Sequence, residues 1–381
     1  MSNYYVREQG AVVRKRDERL IVTKQKEEIA TIPMHNLDQL IIVGNVQLTT
    51  QAVTMLLQTN VDVVFMSVFG KVRGHLMGDP SKYAELRVRQ MQVMSDAPQA
   101  LALARPMVVG KLVHQRALLG SYGTNQMARI GSKLAQSARG ISEMAARAQM
   151  ADNAESLLGY EGKAGAYYWQ GFRELLRQDM GFAQRLYRPS PDPVNALLSF
   201  GYALLQKDVS AAVSLVGLDA YLGYFHVIHY GRPSLVLDLM EEFRPLVVDA
   251  VVLELINERK IEVSDFRQGP AGTNAGDGNE GADEPDAIPA LANSAGAGPR
   301  ELTLAPPSNP AKRAMFLNSG ALRRVIEAYE KRVTSLVRYP FTGEQTTWRR
   351  CMELQTRQLA RVLKGEASEF VPMMLLPEMV K

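Results

Sequence analysis

Asp238 and Glu241 stand three residues apart in a stretch that reads as a helix, with Pro233 as an entry signal and Ser234 as the expected N-cap. Residues i and i+3 share a helix face, so the two carboxylates can share one cation. Glu242 is rotated off that face, and Leu235, Leu239 and Phe243 supply the apolar stripe. His226, just before the loop, can reach back over the helix start. A third carboxylate, Glu161, sits among Gly162, Ala164, Gly165 and Ala166, small residues that let a backbone or ligand come close. A carboxylate buried there needs a cation or hydrogen bonds. Glu161, His226 and a carboxylate of the Asp238–Glu241 pair make an oxygen-rich set with one imidazole, suited to Mg²⁺ or Mn²⁺. Each has an ordinary alternative: a surface glutamate, a hydrogen-bonded core histidine, and acids complementing a helix dipole.

Other chemistries find little support. His226 and His229 form an H-x-x-H, but no H-E-x-x-H is present, and His35, His75 and His114 lie far off. There is no P-loop, no dinucleotide-binding glycine fingerprint and no nucleophile elbow. The single cysteine, Cys351, builds neither a disulfide nor a thiolate zinc site, and fits a reducing cytoplasm. Met1–Arg16 has no apolar core of a secretory signal, and stretches such as Val61–Val68 are too short to span a bilayer, so no membrane partner is expected.

The elements that must position these groups change period near Pro80. Before it, Tyr4–Val6, Ala11–Val13, Arg19–Val22, Leu40–Val43 and Val61–Met66 read as strands. Thr49–Thr59 reads as a helix capped by Thr49 or Thr50, and Gly70 starts a turn into a further strand. Beyond Pro80, Leu86–Met94, Pro98–Leu119, Asn125–Met150, Asn153–Arg177, Pro193–Leu205 and Val209–Val216 have helical spacing, with Pro106 expected to kink or split its segment. Helices resume at Gly320–Arg338 and Gln345–Lys364. Gly269–Pro310 is rich in Gly, Ala, Pro, Asn and Asp and poor in large apolar residues, so disorder is expected there. The tail Phe370–Met379 is apolar and broken by proline, fit to dock on a surface the sequence does not specify. The chain, 46% hydrophobic over 381 residues, therefore predicts an α+β fold: a small β-rich N-terminal domain (1–79) and a larger, nearly all-α catalytic domain (80–381) with the insertion at 269–310.

Net charge is only +4, but it is unevenly placed. Leu101–Met150 has seven basic residues against Glu143 alone, and Lys312–Lys364 has twelve against four acidic ones. Two such blocks point to a polyanion.

The motifs and their order resemble the CRISPR-associated integrase of spacer acquisition, the first protein family of the Cas series. The carriers are Gly44–Gln51, Gly159–Ala164, Asn195–Leu205, Gly217–His226 and Gly231–Pro245, and together they cover nearly the whole chain. The resemblance implies a metal held by Glu161, His226 and Glu241, with Asp238 as an auxiliary catalytic carboxylate. It implies a β-sandwich-like N-terminal domain used in dimerisation and assembly. It further implies a homodimer, two of which are bridged in a heterohexamer by the small ferredoxin-like second Cas protein. The implied reaction on double-stranded and branched DNA is attack by the 3′-OH of a short fragment on a phosphodiester at the repeat boundary, with metal-dependent nicking as a related activity. Phe225 departs from the small aliphatic residue usual before the histidine, and the 269–310 insertion is unlike the family. The competing reading is a non-catalytic helical DNA-binding scaffold, carried by the basic blocks and the tail.

Overall fold

The structure, a computed structural model, describes residues 2–59, 61–67, 72–76, 78, 83–123, 132–186, 190–268 and 315–374. The expected disorder of 269–310, the Gly70 turn, a helix start at Asn125 and the tail beyond 374 lie outside the described residues.

The N-terminal part is built from β1 (Ser2–Val6), β2 (Val12–Arg16), β3 (Arg19–Lys24), β4 (Glu27–Pro33), β5 (Leu37–Val43), β6 (Gln47–Leu48), α1 (Thr50–Gln58), β7 (Asp62–Met66) and β8 (Val72–Leu76). They form two four-stranded sheets, ordered β1-β5-β7-β8 and β4-β3-β2-β6. Strands β1, β5 and β7 run parallel, and β8 closes that sheet antiparallel. Thr49 caps α1, its side chain accepting from the Ala52 N–H, a contact worth about 1 kcal/mol. Strand β4 was not among the expected strands: its burial pattern is mostly exposed, so it carries little apolar signal.

Period-2 alternation on β5 joins this part to the rest. Leu40 and Ile42 point into a core shared with Val13, Leu20, Val22 and Leu56. Ile41 and Val43 point the other way, into the helical core with Val108 and Leu112. The seam also holds a buried polar cluster. Lys207 Nζ donates to Gln39 Oε1 (2.9 Å) and Asp208 Oδ1 (2.7 Å), and Tyr329 Oη donates to Asp208 Oδ2 (2.8 Å). Burial alone would raise the Asp208 pKa, but Arg349 and Lys207 outweigh it and hold the carboxyl at about 2.

The remainder is mostly helical: α2 (Ala84–Ser95), α3 (Ala97–Tyr122), α4 (Lys133–Gln149), α5 (Ala154–Leu175), α6 (Pro193–Val216), α7 (Ser234–Met240), α8 (Ala250–Asn257), α9 (Ser319–Thr334) and α10 (Trp348–Leu363). Two short ribbons interrupt it: β9 (Phe266–Gln268) with β10 (Met315–Leu317), and β11 (Leu336–Arg338) with β12 (Gln345–Thr347). The fold class is α+β, as expected. Helix α3 runs unbroken through Pro106, because thirteen buried residues between Leu103 and Leu119 hold it in place against a proline penalty of about 3 kcal/mol. Helix α6 is likewise continuous where two segments were expected. Residues 345–347, expected as helix, pair as a strand, and Thr347 caps α10 by accepting from the Arg350 N–H.

Candidate metal and phosphoryl-transfer site

Helix α5 buries a stripe through Leu157, Ala164, Tyr168 and Phe172. Glu161, four residues after Leu157 and three before Ala164, falls on that stripe rather than on the exposed face. Opposite it, α3 buries Met107, Val108, Lys111 and Leu112. The Lys111 ammonium meets Glu161 Oε1 at 2.5 Å and Glu241 Oε2 at 2.6 Å. A lysine is almost never buried without a partner, and here the partners are two of the expected ligands.

The loop between α6 and α7 brings in His226. Asp238 Oδ2 accepts from the backbone N–H of Tyr224 (2.5 Å) and Phe225 (3.0 Å). Asp238 Oδ1 accepts from the backbone N–H of His226 (2.9 Å) and lies 2.6 Å from His226 Nδ1. This packing needs Gly223: a Cβ there would lie 2.7 Å from Ser234 and 2.8 Å from Asp238 Oδ2. With Nδ1 donating to Asp238, a neutral ring presents Nε2 as its acceptor, and that nitrogen lies 3.9 Å from Glu241 Oε1.

Both carboxylates of α7 are therefore buried, but they differ in use. Asp238 spends its oxygens on the loop and orients the imidazole. Glu241, the residue that closes α7, faces Lys111, His226 and Arg244, whose Nε is 3.2 Å from Oε1. Neither Glu241 oxygen receives a well-directed hydrogen bond, so its charge rests on ionic neighbours. Ser234, expected as the cap, instead turns its hydroxyl to donate to the Val227 carbonyl at 3.2 Å, and Pro233 occupies the cap position without a side-chain bond.

Behind the site the chain widens into a π-helical turn over Arg244–Asp249, a form often found at functional positions. It aims Arg244 at Glu241 while the guanidinium lies 4.8 Å from the Tyr202 ring centroid. Tyr168 and Tyr202 each donate to Asp249 at 2.6 Å. Burial pushes Asp249 up to about 6 despite these donors. Glu242, judged to turn off the shared face, is buried on the other side, where Gln355 Nε2 (3.0 Å) and the Met373 N–H (2.8 Å) donate to it. That answers where the tail docks: on Glu242 and α10, with Pro372 against Gly110 of α3.

Glu161, His226 and Glu241 are thus brought to one place, with Asp238 beside them. His229 is not, and lies exposed at the loop tip. Lys111 and Arg244 were missed as members of the site. The signal for Lys111 was a lone cation inside the apolar run Met107–Val113. Among the described residues, no group of three or more His, Cys, Asp and Glu is already arranged to hold a metal ion. The donor set nevertheless fits a divalent cation, because the ground between the two carboxylates is already held by positive charge. The Lys312–Lys364 block carries less unpaired charge than its count suggests: Arg349 pairs with Asp208 and Glu330, Arg350 and Arg357 with Glu353, and Arg324 with Asp265. Among the described residues, no helix is long and apolar enough to cross a membrane.

Residues 4–276 match the family described as CRISPR associated protein Cas1. A protein of Thermus thermophilus named CRISPR-associated endonuclease Cas1 3 is 30% identical over 370 residues, covering 97% of this chain and 96% of its own. A casposase bound to integration product has a TM-score of 0.77 at 20% identity, covering 99% of this chain and 95% of its own. A chain of a Cas6-RT-Cas1–Cas2 complex has a TM-score of 0.72 at 21% identity, covering 98% of this chain and 36% of its own. The two structural likenesses speak for the fold.

Proposed function

This chain belongs to the Cas1 family of CRISPR-associated proteins, and we propose that it is a divalent-metal-dependent DNA endonuclease and integrase of CRISPR adaptation. The observation that carries the reading is the convergence of Glu161, Glu241 and the His226 imidazole around the buried Lys111 ammonium. In the proposed reaction the 3′-oxygen of a short DNA fragment forms a new P–O bond at the repeat boundary. The P–O bond to the outgoing 3′-oxygen breaks, and the proton lost by the incoming hydroxyl ends on the outgoing one.

The chain's own residues divide the work. Glu161, His226 and Glu241 are the assigned ligands. When bound there, Mg²⁺ or Mn²⁺ would neutralise charge on the attacked phosphate and acidify the attacking hydroxyl. Lys111 and Arg244 place positive charge beside the same point, where phosphoryl transfer gathers negative charge. Asp238 holds His226 in one tautomer and one orientation. We assign residues 1–79 to assembly and 80–381 to catalysis. The assembly proposed is a homodimer joined in a heterohexamer by the second Cas protein, acting on double-stranded and branched DNA. The name of the Cas1–Cas2 complex above supports that partner class.

The test incubates the full chain with branched DNA and Mg²⁺ or Mn²⁺, with and without EDTA. Strand transfer and nicking are expected only without chelator, and E161A, H226A and E241A are expected to abolish both while still binding DNA. Products formed equally in EDTA would overturn the metal-dependent reading, and DNA binding without product under any of these conditions would favour a non-catalytic DNA-binding scaffold.

A further inference from the structure

The segment that follows His226 is unlike a surface turn. Val227 is 76% exposed, Ile228 49% and Tyr230 85%, so three of four consecutive positions hold large apolar side chains out in solvent. Each forgoes up to about 1.5–3 kcal/mol of burial, and turns ordinarily favour Gly, Asn, Asp, Ser and Pro instead. The loop is also held in shape. Ser234 Oγ donates to the Val227 carbonyl (3.2 Å), and the Arg232 N–H donates to the His229 carbonyl (3.0 Å). The Ser234 N–H donates to the Arg232 carbonyl (2.9 Å), and Gly231 turns the chain with φ +72°. The residue just before it, His226, is fastened to the Asp238 carboxylate through both its backbone N–H and its ring.

We propose that Val227–Tyr230 is a wedge that enters DNA beside the attacked phosphodiester, with Tyr230 stacking on a base that it unpairs. The proposal rests on the reading of the site given above. Continuity argues for it: Tyr230 lies four residues beyond His226, at most about 14 Å of chain, or about four steps along a DNA strand. Chemistry argues for bases rather than backbone. Val227 and Ile228 offer phosphates nothing, and of Tyr230 only the hydroxyl could reach one, whereas apolar wedges unstack base steps and an aromatic face gains about 1–3 kcal/mol per stacked base. Separating strands at that point would free the attacked linkage to bend into the site.

Two measurements on the full chain test it. The first needs no turnover: a branched DNA carries 2-aminopurine in the strand opposite the attacked linkage, in EDTA. The wild-type chain and E241A are expected to raise its fluorescence alike. Y230A and the double variant I228S/Y230A are expected to lose most of that rise, and Y230F and Y230W to keep it. The second compares strand transfer to a fully paired target with transfer to one mismatched at the flanking pairs. I228S/Y230A is expected to fall tenfold or more on the paired target and less than twofold on the mismatched one. Wild-type fluorescence in the alanine variants overturns the proposal. So does an equal fall on both targets, the pattern of a loop that serves a protein partner or the shape of the site. A wild-type chain with no strand transfer at all would count against the site's function, while the fluorescence still decides the wedge.

Discussion

His226 Nδ1 lies 2.6 Å from Asp238 Oδ1, and that carboxylate also gathers the backbone N–H groups of Tyr224, Phe225 and His226. Asp238 is thereby a positioning residue for the imidazole. D238N keeps the size of the side chain but replaces one acceptor by a donor. Strand transfer is expected to fall about 10–100-fold, the usual effect of losing a partner behind a ligand, whereas E241A leaves none. Single-turnover assays on branched DNA, with thermal melting to check the fold, separate the two. A D238N chain as dead as E241A at wild-type stability would make Asp238 a direct ligand instead.

Lys111 pairs at once with the buried Glu241 carboxylate and the largely covered Glu161 carboxylate. Removing one partner of a buried ion pair costs about 3–5 kcal/mol, because the other charge is stranded. K111M is therefore expected to melt well below wild type without metal and to regain more stability than wild type on addition of Mn²⁺, since a second cation relieves the same repulsion. Equal metal-induced shifts in the two proteins would mean that the ammonium and the metal do not share that ground.

The docked tail should matter for stability. Burial pushes Glu242 up to about 8, so it is protonated at neutral pH and glutamine is a close mimic. E242Q is expected to melt within about 1 kcal/mol of wild type, and E242A to lose about 1–3 kcal/mol through the unmatched donors Gln355 and Met373. Deleting residues 370–381 removes Phe370 and Met373 from the core and is expected to cost more than E242A. A truncated chain as stable as wild type would show that the docking contributes nothing.

His114 adds an acid sensitivity. Its Nδ1 lies 2.6 Å from the Glu242 carbonyl, and burial lowers the ring to about 4 from the ordinary 6.5. A group depressed in the fold binds protons first in the unfolded chain. Its stability is therefore full above pH 6.5 and is lost as pH falls toward 4, by on the order of 3 kcal/mol below both values. Melting curves from pH 7 to 4 should fall more steeply for wild type than for H114Q. Parallel curves would remove His114 as the cause.

Sequence by itself named four candidate site residues, though not Lys111 or Arg244, and the change from strand to helix near Pro80. Periodicity and motif order are local properties, readable without coordinates. Glu161, His226, Asp238 and Glu241 were all named that way, and so was the helix around Glu161. Only the tertiary structure decided which groups each of them touches. The i, i+3 spacing of Asp238 and Glu241 put them on one face, but the Gly223–His226 loop claimed one and left the other facing Lys111. Lys111 is 50 residues from Glu161 along the chain, and Met373 is 131 from Glu242. Such contacts come from the packing of α3 on α5 and from the tail closing over α10, and no local pattern encodes them. Charge shows the same in part: residue counts showed two basic blocks, and the fold turned Arg349 inward onto Asp208 and Glu330, whereas Arg350 and Arg357 stay partly exposed beside Glu353 on their own helix.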